Sequence, residues 1–157
     1  MAESSERAVV IAMDGSEHST FAFDWYFDNV HKENDRVILL HVPEYRTVVQ
    51  SPMVMADVSV ITDLMQEEEK RIKDYLELLG NSLKAKGVGG KVKSCGGNPG
   101  EVIIRVAKEE NAAFIVTGTR GMGTIRRTLL GSISDYIIHH SHIPVLVCRH
   151  KDSHKSH

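Results

Sequence analysis

The chain of 157 residues is long enough to bury the core of one domain, and its 41% hydrophobic and 25% charged residues are ordinary for a globular protein. Its formal net charge of −2 gives no electrostatic reason to expect nucleic acid as a partner. No apolar run approaches the length of a membrane span, so no membrane partner is expected either.

Apolar runs that suit β-strands alternate with helical patterns along the chain, which is typical of parallel α/β architecture. The first strand is predicted at 8–13, a continuous apolar run of the kind found in central strands that are covered on both faces. A helix is predicted at 17–31, and a second strand at 36–42 ends before Pro43. The segment 44–57 lacks periodicity and is predicted to be a long mobile connection.

A long helix is predicted at 59–86, with acids early and lysines late, as the helix dipole favours. Its predicted apolar stripe consists of Ile61, Leu64, Met65, Ile72, Tyr75, Leu76, Leu79 and Leu83. A short polar strand at 91–95 follows, and its polarity predicts a place at an edge of the sheet.

The rest of the chain predicts two more helices and two more strands. Asn98 followed by Pro99 and Glu101 has the pattern of a helix start, and that helix is expected to end near Glu110. The remaining elements are a strand at 113–117, a helix at 130–140 and a strand at 143–148. We therefore expect five parallel strands in one domain spanning 8–149, with flexible tails at 1–7 and 150–157.

A glycine-rich segment lies between the fourth strand and the last helix. It reads Gly118-Thr-Arg-Gly121, then nine residues, then Gly131-Ser132. Glycines let a backbone approach phosphate oxygens, and the N–H groups of the first helical turn, with the hydroxyls of Ser132 and Ser134, can donate to an anion. The segment has neither the Walker A pattern nor the dinucleotide fingerprint. Nucleotide phosphate is the ligand that it suits best, and a packing turn is the alternative.

Other candidates lie near the carboxyl ends of the predicted strands. Asp14 suits a ribose diol, while an N-cap for the following helix is nearly as well supported. Val42 can pack on adenine, whereas His41 is interpreted as a buried histidine that makes one hydrogen bond. Arg126 and Arg127 either contact terminal phosphates or keep a surface loop solvated. No protein metal site is predicted, and the histidines of the tail are assigned no role.

These residues resemble the universal stress protein family over 8–148. The nucleotide motif of the family is Gly, two residues, Gly, nine residues, Gly, then Ser or Thr, and it stands complete here as Gly118, Gly121, Gly131 and Ser132. Further matches are Asp14-Gly15-Ser16 after the first strand, His-Val closing the second, Gly-Asn-Pro before the third helix and Pro-Val-Leu-Val in the last strand.

The resemblance implies a Rossmann-like domain of the adenine nucleotide alpha hydrolase type, with strand order 3-2-1-4-5 and helices on both faces. It implies ATP, with Mg²⁺ held through the phosphates, adenine near Ala12 and Val42, and ribose at Asp14 and Gly118. The remaining implied nucleotide-binding residues are Arg120, Gly121, Gly123, Gly131, Ser132, Ile133 and Ser134. It also implies homodimers paired through the strand at 143–148, whose apolar edge would otherwise invite aggregation.

The leading hypothesis is a cytoplasmic ATP-binding protein that acts as a sensor or switch in the stress response. The polar N-terminus at 1–7 lacks the apolar stretch of a signal peptide, and Cys95 and Cys148 are interpreted as buried thiols of a reducing compartment. Replacing Gly118 or Gly121 by valine is expected to abolish ATP binding without unfolding the domain.

Two alternatives stay open. One is a slow ATPase or autophosphorylating phosphotransferase that uses the same site, with Ser132 or Ser134 as the phosphoryl acceptor. The other is a nucleotide-free interaction module. AMP or a cyclic nucleotide also remains possible as the ligand.

Overall fold

The structure, a computed structural model, describes residues 6–43, 58–119 and 131–150. Its elements in chain order are β1 (Arg7–Ala12), α1 (Glu17–Asn29), β2 (Asp35–His41), α2 (Val58–Lys86), β3 (Gly90–Ser94), α3 (Pro99–Glu109), β4 (Ala112–Gly118), α4 (Ser132–His140) and β5 (Val145–Cys148). These bounds agree closely with the predicted ones. The predicted connection at 44–57 lies outside the described residues.

The strands form one parallel sheet in the order β3-β2-β1-β4-β5, as the family resemblance implies. β1 is central: Val10 pairs with Ile38 of β2 on one side and with Ile115 of β4 on the other. All three side chains are fully buried. The predicted edge position of the polar strand β3 is confirmed, and β5 forms the opposite edge.

Helices cover both faces of the sheet. Alternate residues of each strand point to opposite sides, so both faces carry apolar side chains that the helices bury. On one side, side chains of α1 and α2 pack around Val9, Ile11 and Leu39. On the other side, side chains of α3 and α4 pack around Val10 and Ile38. Among the residues that the structure describes, no helix combines the length and apolar character needed to cross a membrane.

The ends of the helices have local causes that the sequence makes visible. The side chain of Asn98 accepts a hydrogen bond at 3.2 Å from the backbone N–H of Glu101, so it caps α3 as predicted. α2 ends before Gly87, which has φ +69°, a conformation that glycine adopts without steric cost.

The apolar stripe predicted for α2 is only partly buried. Leu79 and Leu83 are buried in the core and Tyr75 and Leu76 pack against it, whereas Met65, nearer the start of the helix, is 50% exposed. A helix of 29 residues is about 43 Å long, roughly twice the length of a strand of five to seven residues. Only its second half can therefore lie on the sheet.

A partly buried ion pair lies at the amino-terminal end of the sheet. The side chain of Asp35 is fully buried and accepts two hydrogen bonds from the guanidinium of Arg7, at 2.7 and 2.8 Å. It also accepts from the hydroxyl of Tyr26 and from the backbone N–H of Lys32. Arg7 is the first residue of β1, whereas the sequence predicts that it belongs to the flexible amino-terminal tail.

A second cluster of charges joins the edge strand β3 to the end of α3. The carboxylate of Glu110 contacts Lys91 at 3.0 Å, Lys93 at 3.2 Å and Arg36 of β2 at 3.1 Å. The hydrogen bond from Lys91, with those from Arg36 and Lys93, outweighs burial and lowers the pKa of Glu110 to about 2. The polar residues of β3 therefore neutralise a carboxylate instead of facing only solvent.

Candidate functional site

The carboxyl ends of β1 and β4 lie side by side, which brings together the two regions predicted to contact ribose. Ile11 pairs with Val116, so β1 and β4 end next to each other at the carboxyl end of the sheet. Asp14 lies just beyond the end of β1, and Gly118 is the last residue of β4. In open parallel sheets, ligands bind in the crevice outside such strand ends.

Asp14 shapes the turn between β1 and α1 through one of its two carboxylate oxygens. Its Oδ1 accepts hydrogen bonds from the backbone N–H of Ser16 at 2.9 Å and from the hydroxyl of Ser16 at 2.6 Å. Ser16 in turn caps α1 by accepting from the backbone N–H of Ser19. The N-cap is therefore Ser16 and not Asp14. Within the described part of the chain, Oδ2 of Asp14 takes no hydrogen bond, which leaves an acceptor for a ligand.

Tyr75 of α2 makes a hydrogen bond with the backbone of this turn, and the sequence did not predict this contact. Its hydroxyl accepts a hydrogen bond at 2.9 Å from the backbone N–H of Gly15, whose φ of +86° marks the tight turn. Burial raises the pKa of Tyr75, which keeps the hydroxyl protonated. Nothing in the sequence distinguishes Tyr75 from the apolar residues of its stripe, so no signal could have found it.

His41 has the structural role that its interpretation as a buried histidine predicts. Its ring is half-buried, its Nδ1 lies 2.9 Å from the backbone oxygen of Met13, and its plane packs edge-on against Tyr75. This contact holds the ends of β1 and β2 together. The neighbouring Val42, which is predicted to contact adenine, lies on the opposite face of the sheet.

Ala12 and Val42, the residues predicted to contact adenine, lie on one face of the sheet. Ala12 pairs with Leu40, and Val42 follows Leu40 by two residues, so alternation places all three on the same side. Ala12 and Val42 are half-buried against the core cluster that α3 and α4 cover, and Ile133 of α4 packs against the same cluster. The structure therefore gathers these three predicted residues on one face.

The amino-terminus of α4 presents three backbone donors. Gly131 is the N-cap and supplies no side-chain hydrogen bond, and the first helical bond runs from Asp135 N–H to Gly131 at 3.0 Å. The N–H groups of Ser132, Ile133 and Ser134 precede that bond and have no acceptor among the described residues. Together with the positive end of the helix dipole, they can bind an anion.

Ser134 has a different role from the one predicted for its hydroxyl. It is 2% exposed, and its Oγ lies 3.1 Å from both the backbone oxygen of Thr119 and that of Gly131, to which it donates. The N–H of Gly131 also donates to Thr119. This hydroxyl therefore joins the end of β4 to the start of α4. The exposed hydroxyl of Ser132 is the one left to face a ligand.

Gly118 is required for packing as well as for any ligand. A Cβ added there would lie 2.7 Å from the backbone oxygen of His18 in α1. Valine at this position would therefore push α1 away from β4, which overturns the expectation that Gly118→Val leaves the domain intact. The predicted residues Arg120, Gly121 and Gly123, like Arg126 and Arg127, lie outside the described residues.

Comparison with known proteins matches residues 6–149 to the universal stress protein family. Universal stress protein YxiE of Bacillus subtilis is 28% identical over 90% of this chain and 97% of its own length. Universal stress protein MJ0577 of Methanocaldococcus jannaschii is 31% identical over 76% of this chain and 80% of its own.

Solved structures agree with these sequence comparisons. The structure of MJ0577 matches with a TM-score of 0.76 and 25% identity, covering 93% of this chain and 97% of that one. A universal stress protein family protein from Arabidopsis thaliana, solved with AMP bound, has the same fold with a TM-score of 0.66 and 23% identity, covering 94% of each chain. With the predicted strand order in place and the family pattern matched along nearly its whole length, this chain belongs to the universal stress protein family.

Proposed function

We propose that this protein binds ATP in the crevice between β1 and β4 and acts as a nucleotide-dependent sensor or switch in the stress response. The observation that carries the proposal is the start of α4. Three backbone N–H groups without acceptors among the described residues lie next to the end of β4, where no side chain caps the helix. An anion is the partner that completes such a helix end.

The neighbouring residues fit the rest of the nucleotide. Oδ2 of Asp14, which takes no hydrogen bond from any described residue, can accept hydrogen bonds from a ribose diol, and the half-buried Ala12 and Val42 offer an apolar surface for adenine. The phosphates would lie over Ser132, Ile133 and Ser134, and the motif glycine Gly121, with Arg120 and Gly123, would complete their surroundings. Mg²⁺ would be held through the phosphates. Within the described residues, no group of three or more His, Cys, Asp and Glu side chains could hold a metal ion.

The comparisons support this reading. The Arabidopsis protein, which has the same fold, was solved with AMP bound. The complete glycine motif of this chain leads us to expect contacts with further phosphates as well. We place the protein in the cytoplasm, since Cys95 and Cys148 are both free thiols, as a reducing compartment favours.

Calorimetric titration of the full chain with ATP, AMP and cyclic AMP tests the proposal. ATP is expected to bind, and Asp14→Asn to weaken its binding by roughly tenfold, because the change keeps one oxygen for Ser16 but removes the charged acceptor from the ribose. Asp24→Asn, on the exposed side of α1, is the matched control. Equal affinity in folded wild type and Asp14→Asn would refute the ribose assignment, and a chain that binds none of the three nucleotides would refute the proposed function.

We also propose that two copies of the chain pair through β5. This strand forms an edge of the sheet, and its residues Val145, Leu146 and Val147 are only half-buried. Val145 and Val147, together with Ile138, border an open groove of about 480 Å³. Unpaired apolar edge strands invite association. Analytical ultracentrifugation is expected to find a dimer that Val147→Glu converts to a monomer, whereas a wild-type chain that stays monomeric at tens of micromolar would contradict the pairing.

A further inference from the structure

A tyrosine of the long helix α2 contacts the turn that carries Asp14. The hydroxyl of Tyr75 lies 2.9 Å from the backbone nitrogen of Gly15, 60 positions away in the chain, and accepts its proton. The ring of Tyr75 packs against the core, and the ring of His41 meets it with centroids 4.9 Å apart. Because the core and His41 both hold the ring, the position of the hydroxyl is fixed relative to the ends of β1 and β2.

Three successive backbone N–H groups of this turn have acceptors. The N–H of Asp14 donates to Oγ of Ser19 at 3.3 Å, and that of Ser16 donates to Oδ1 of Asp14 at 2.9 Å. These two bonds stay within the turn and the start of α1, whereas the bond from Gly15 to Tyr75 reaches another helix. Ser19 thus holds the peptide unit before Asp14, and Tyr75 holds the one after it. With both units held, the direction in which the Asp14 side chain leaves the turn is set.

We propose that Tyr75 is a positioning residue that gives the nucleotide site its preference for a ribose with both hydroxyl groups. Tyr75 acts through Asp14, whose Oδ2 accepts from the ribose in the proposed function, on which this inference rests. Hydrogen bonds weaken steeply when their angle departs from the optimum, so a small rotation of the carboxylate weakens its bonds to ribose. A binding residue therefore needs support that holds it within about 0.5 Å of its productive position.

The fold does not depend on the hydrogen bond between Gly15 and Tyr75. Gly15 is exposed, so water can replace the tyrosine hydroxyl as the acceptor of its N–H. Phenylalanine at position 75 keeps the ring that packs against the core and His41. Gly15 has φ +86°, and without its partner it can change this angle, because it has no Cβ to restrict it. Tyr75→Phe therefore frees the peptide unit beside Asp14 without removing packing.

The experiment is a calorimetric titration of the full chain with ATP and with dideoxy-ATP, which lacks both hydroxyl groups of the ribose. Wild type is expected to prefer ATP by roughly tenfold, the effect of a hydrogen bond to a charged acceptor. Tyr75→Phe is expected to lower the affinity for ATP by about fivefold, the effect of one neutral hydrogen bond, and to leave the affinity for dideoxy-ATP unchanged. The preference for ATP therefore falls to about twofold.

Two controls separate positioning from a general loss of stability. Tyr26→Phe removes a buried hydroxyl at the opposite end of the sheet, next to Asp35, and should destabilise the protein without changing the ratio of the two affinities. In Asp14→Asn, adding Tyr75→Phe should cause no further loss of preference, because the two residues act through one contact. Circular dichroism checks that each variant is folded.

The outcomes distinguish failure of this inference from failure of the proposed function. A wild type that binds neither nucleotide refutes the nucleotide site, and one that binds both equally refutes the ribose contact; Tyr75 loses its role in either case. A wild type that prefers ATP while folded Tyr75→Phe keeps the full preference refutes the role of Tyr75 alone. The same conclusion follows if Tyr26→Phe lowers the preference as much, or if Tyr75→Phe lowers it further in Asp14→Asn.

Discussion

Replacing Asp35 by alanine is expected to lower the free energy of unfolding by about 3 kcal/mol, the low end of the range measured when one partner of a buried ion pair is removed, because the side chain of Arg7 is 28% exposed. The side chain of Asp35 is fully buried, and its loss removes the charged acceptor of Arg7 and of the Tyr26 hydroxyl. Among the described residues, these two groups keep only the backbone oxygen of Val30 and Nδ1 of His31 as hydrogen-bond partners. This is a large part of the stability of a typical domain. Urea unfolding followed by circular dichroism measures the change.

The control for this prediction is a pair of opposite charges that is exposed to solvent. Lys70 and Asp74 of α2 pair at 3.2 Å with side chains that are 76% and 61% exposed. Asp74→Asn is expected to change the free energy of unfolding by about 0.5 kcal/mol or less. If Asp35→Ala were as mild as this control, the pair at the base of the sheet would contribute little. Asp35→Asn provides a gentler variant should the alanine protein fail to fold.

The same pair predicts how stability depends on pH. Burial acts to raise the pKa of Asp35, but hydrogen bonds from Arg7 and Tyr26 outweigh it and lower the pKa to about 2 from an ordinary 3.8. The folded state therefore holds its proton less tightly than the unfolded state, so this contribution is present above about pH 4. It amounts to about 2 kcal/mol and is lost as the pH falls to 2. Asp35→Asn should flatten the stability profile in that window.

Replacing Ser132 by proline is expected to weaken ATP binding by roughly 10–100-fold, the effect of losing one hydrogen bond to a charged group. Proline at the first position of α4 removes one of the three free N–H groups, yet it is well tolerated there because its backbone angle suits a helix start. The preceding Gly131 has φ −70° and ψ 164°, the extended conformation that a residue before proline requires. Calorimetric titration with ATP measures the loss.

Ser132→Ala is the matched variant, because it removes the hydroxyl and keeps the backbone N–H. We expect it to weaken binding less than Ser132→Pro does, since the neutral hydroxyl is one contact and the helix end supplies the others. Equal losses in the two variants would assign the contact to the hydroxyl instead of the backbone. Unchanged affinity in a folded Ser132→Pro protein would place the phosphates away from α4.

The order of helices and strands could be predicted because it depends on local patterns. Continuous apolar runs mark the strands that are covered on both faces, and the cap at Asn98 lies where its spacing to Glu101 predicts. The strand order came from the family resemblance and is confirmed. Because β1 and β4 are neighbours in this order, Asp14 and Gly118 lie close together at the carboxyl end of the sheet, as predicted.

Contacts between distant segments could not be predicted in the same way. Arg7 and Asp35 are 28 positions apart, and nothing around either residue indicates that they form a buried pair. The hydroxyl of Ser134 lies two residues after the family motif, but only the fold shows that it donates to Thr119. A polar side chain in a motif can bind the ligand or hold the backbone that does, and spacing alone does not distinguish the two.

The central position of β1 affects how the chain folds during its synthesis. β2 follows β1 closely in the chain, but the other neighbour of β1 is β4, with Ala8 pairing opposite Ala112. Closing a loop on the order of a hundred residues is slow compared with forming local contacts. Until β4 has left the ribosome, we expect the N–H and C=O groups on the side of β1 that pairs with β4 to lack strand partners and to stay open to other nascent chains. Chaperones that shield strand edges would act in this interval.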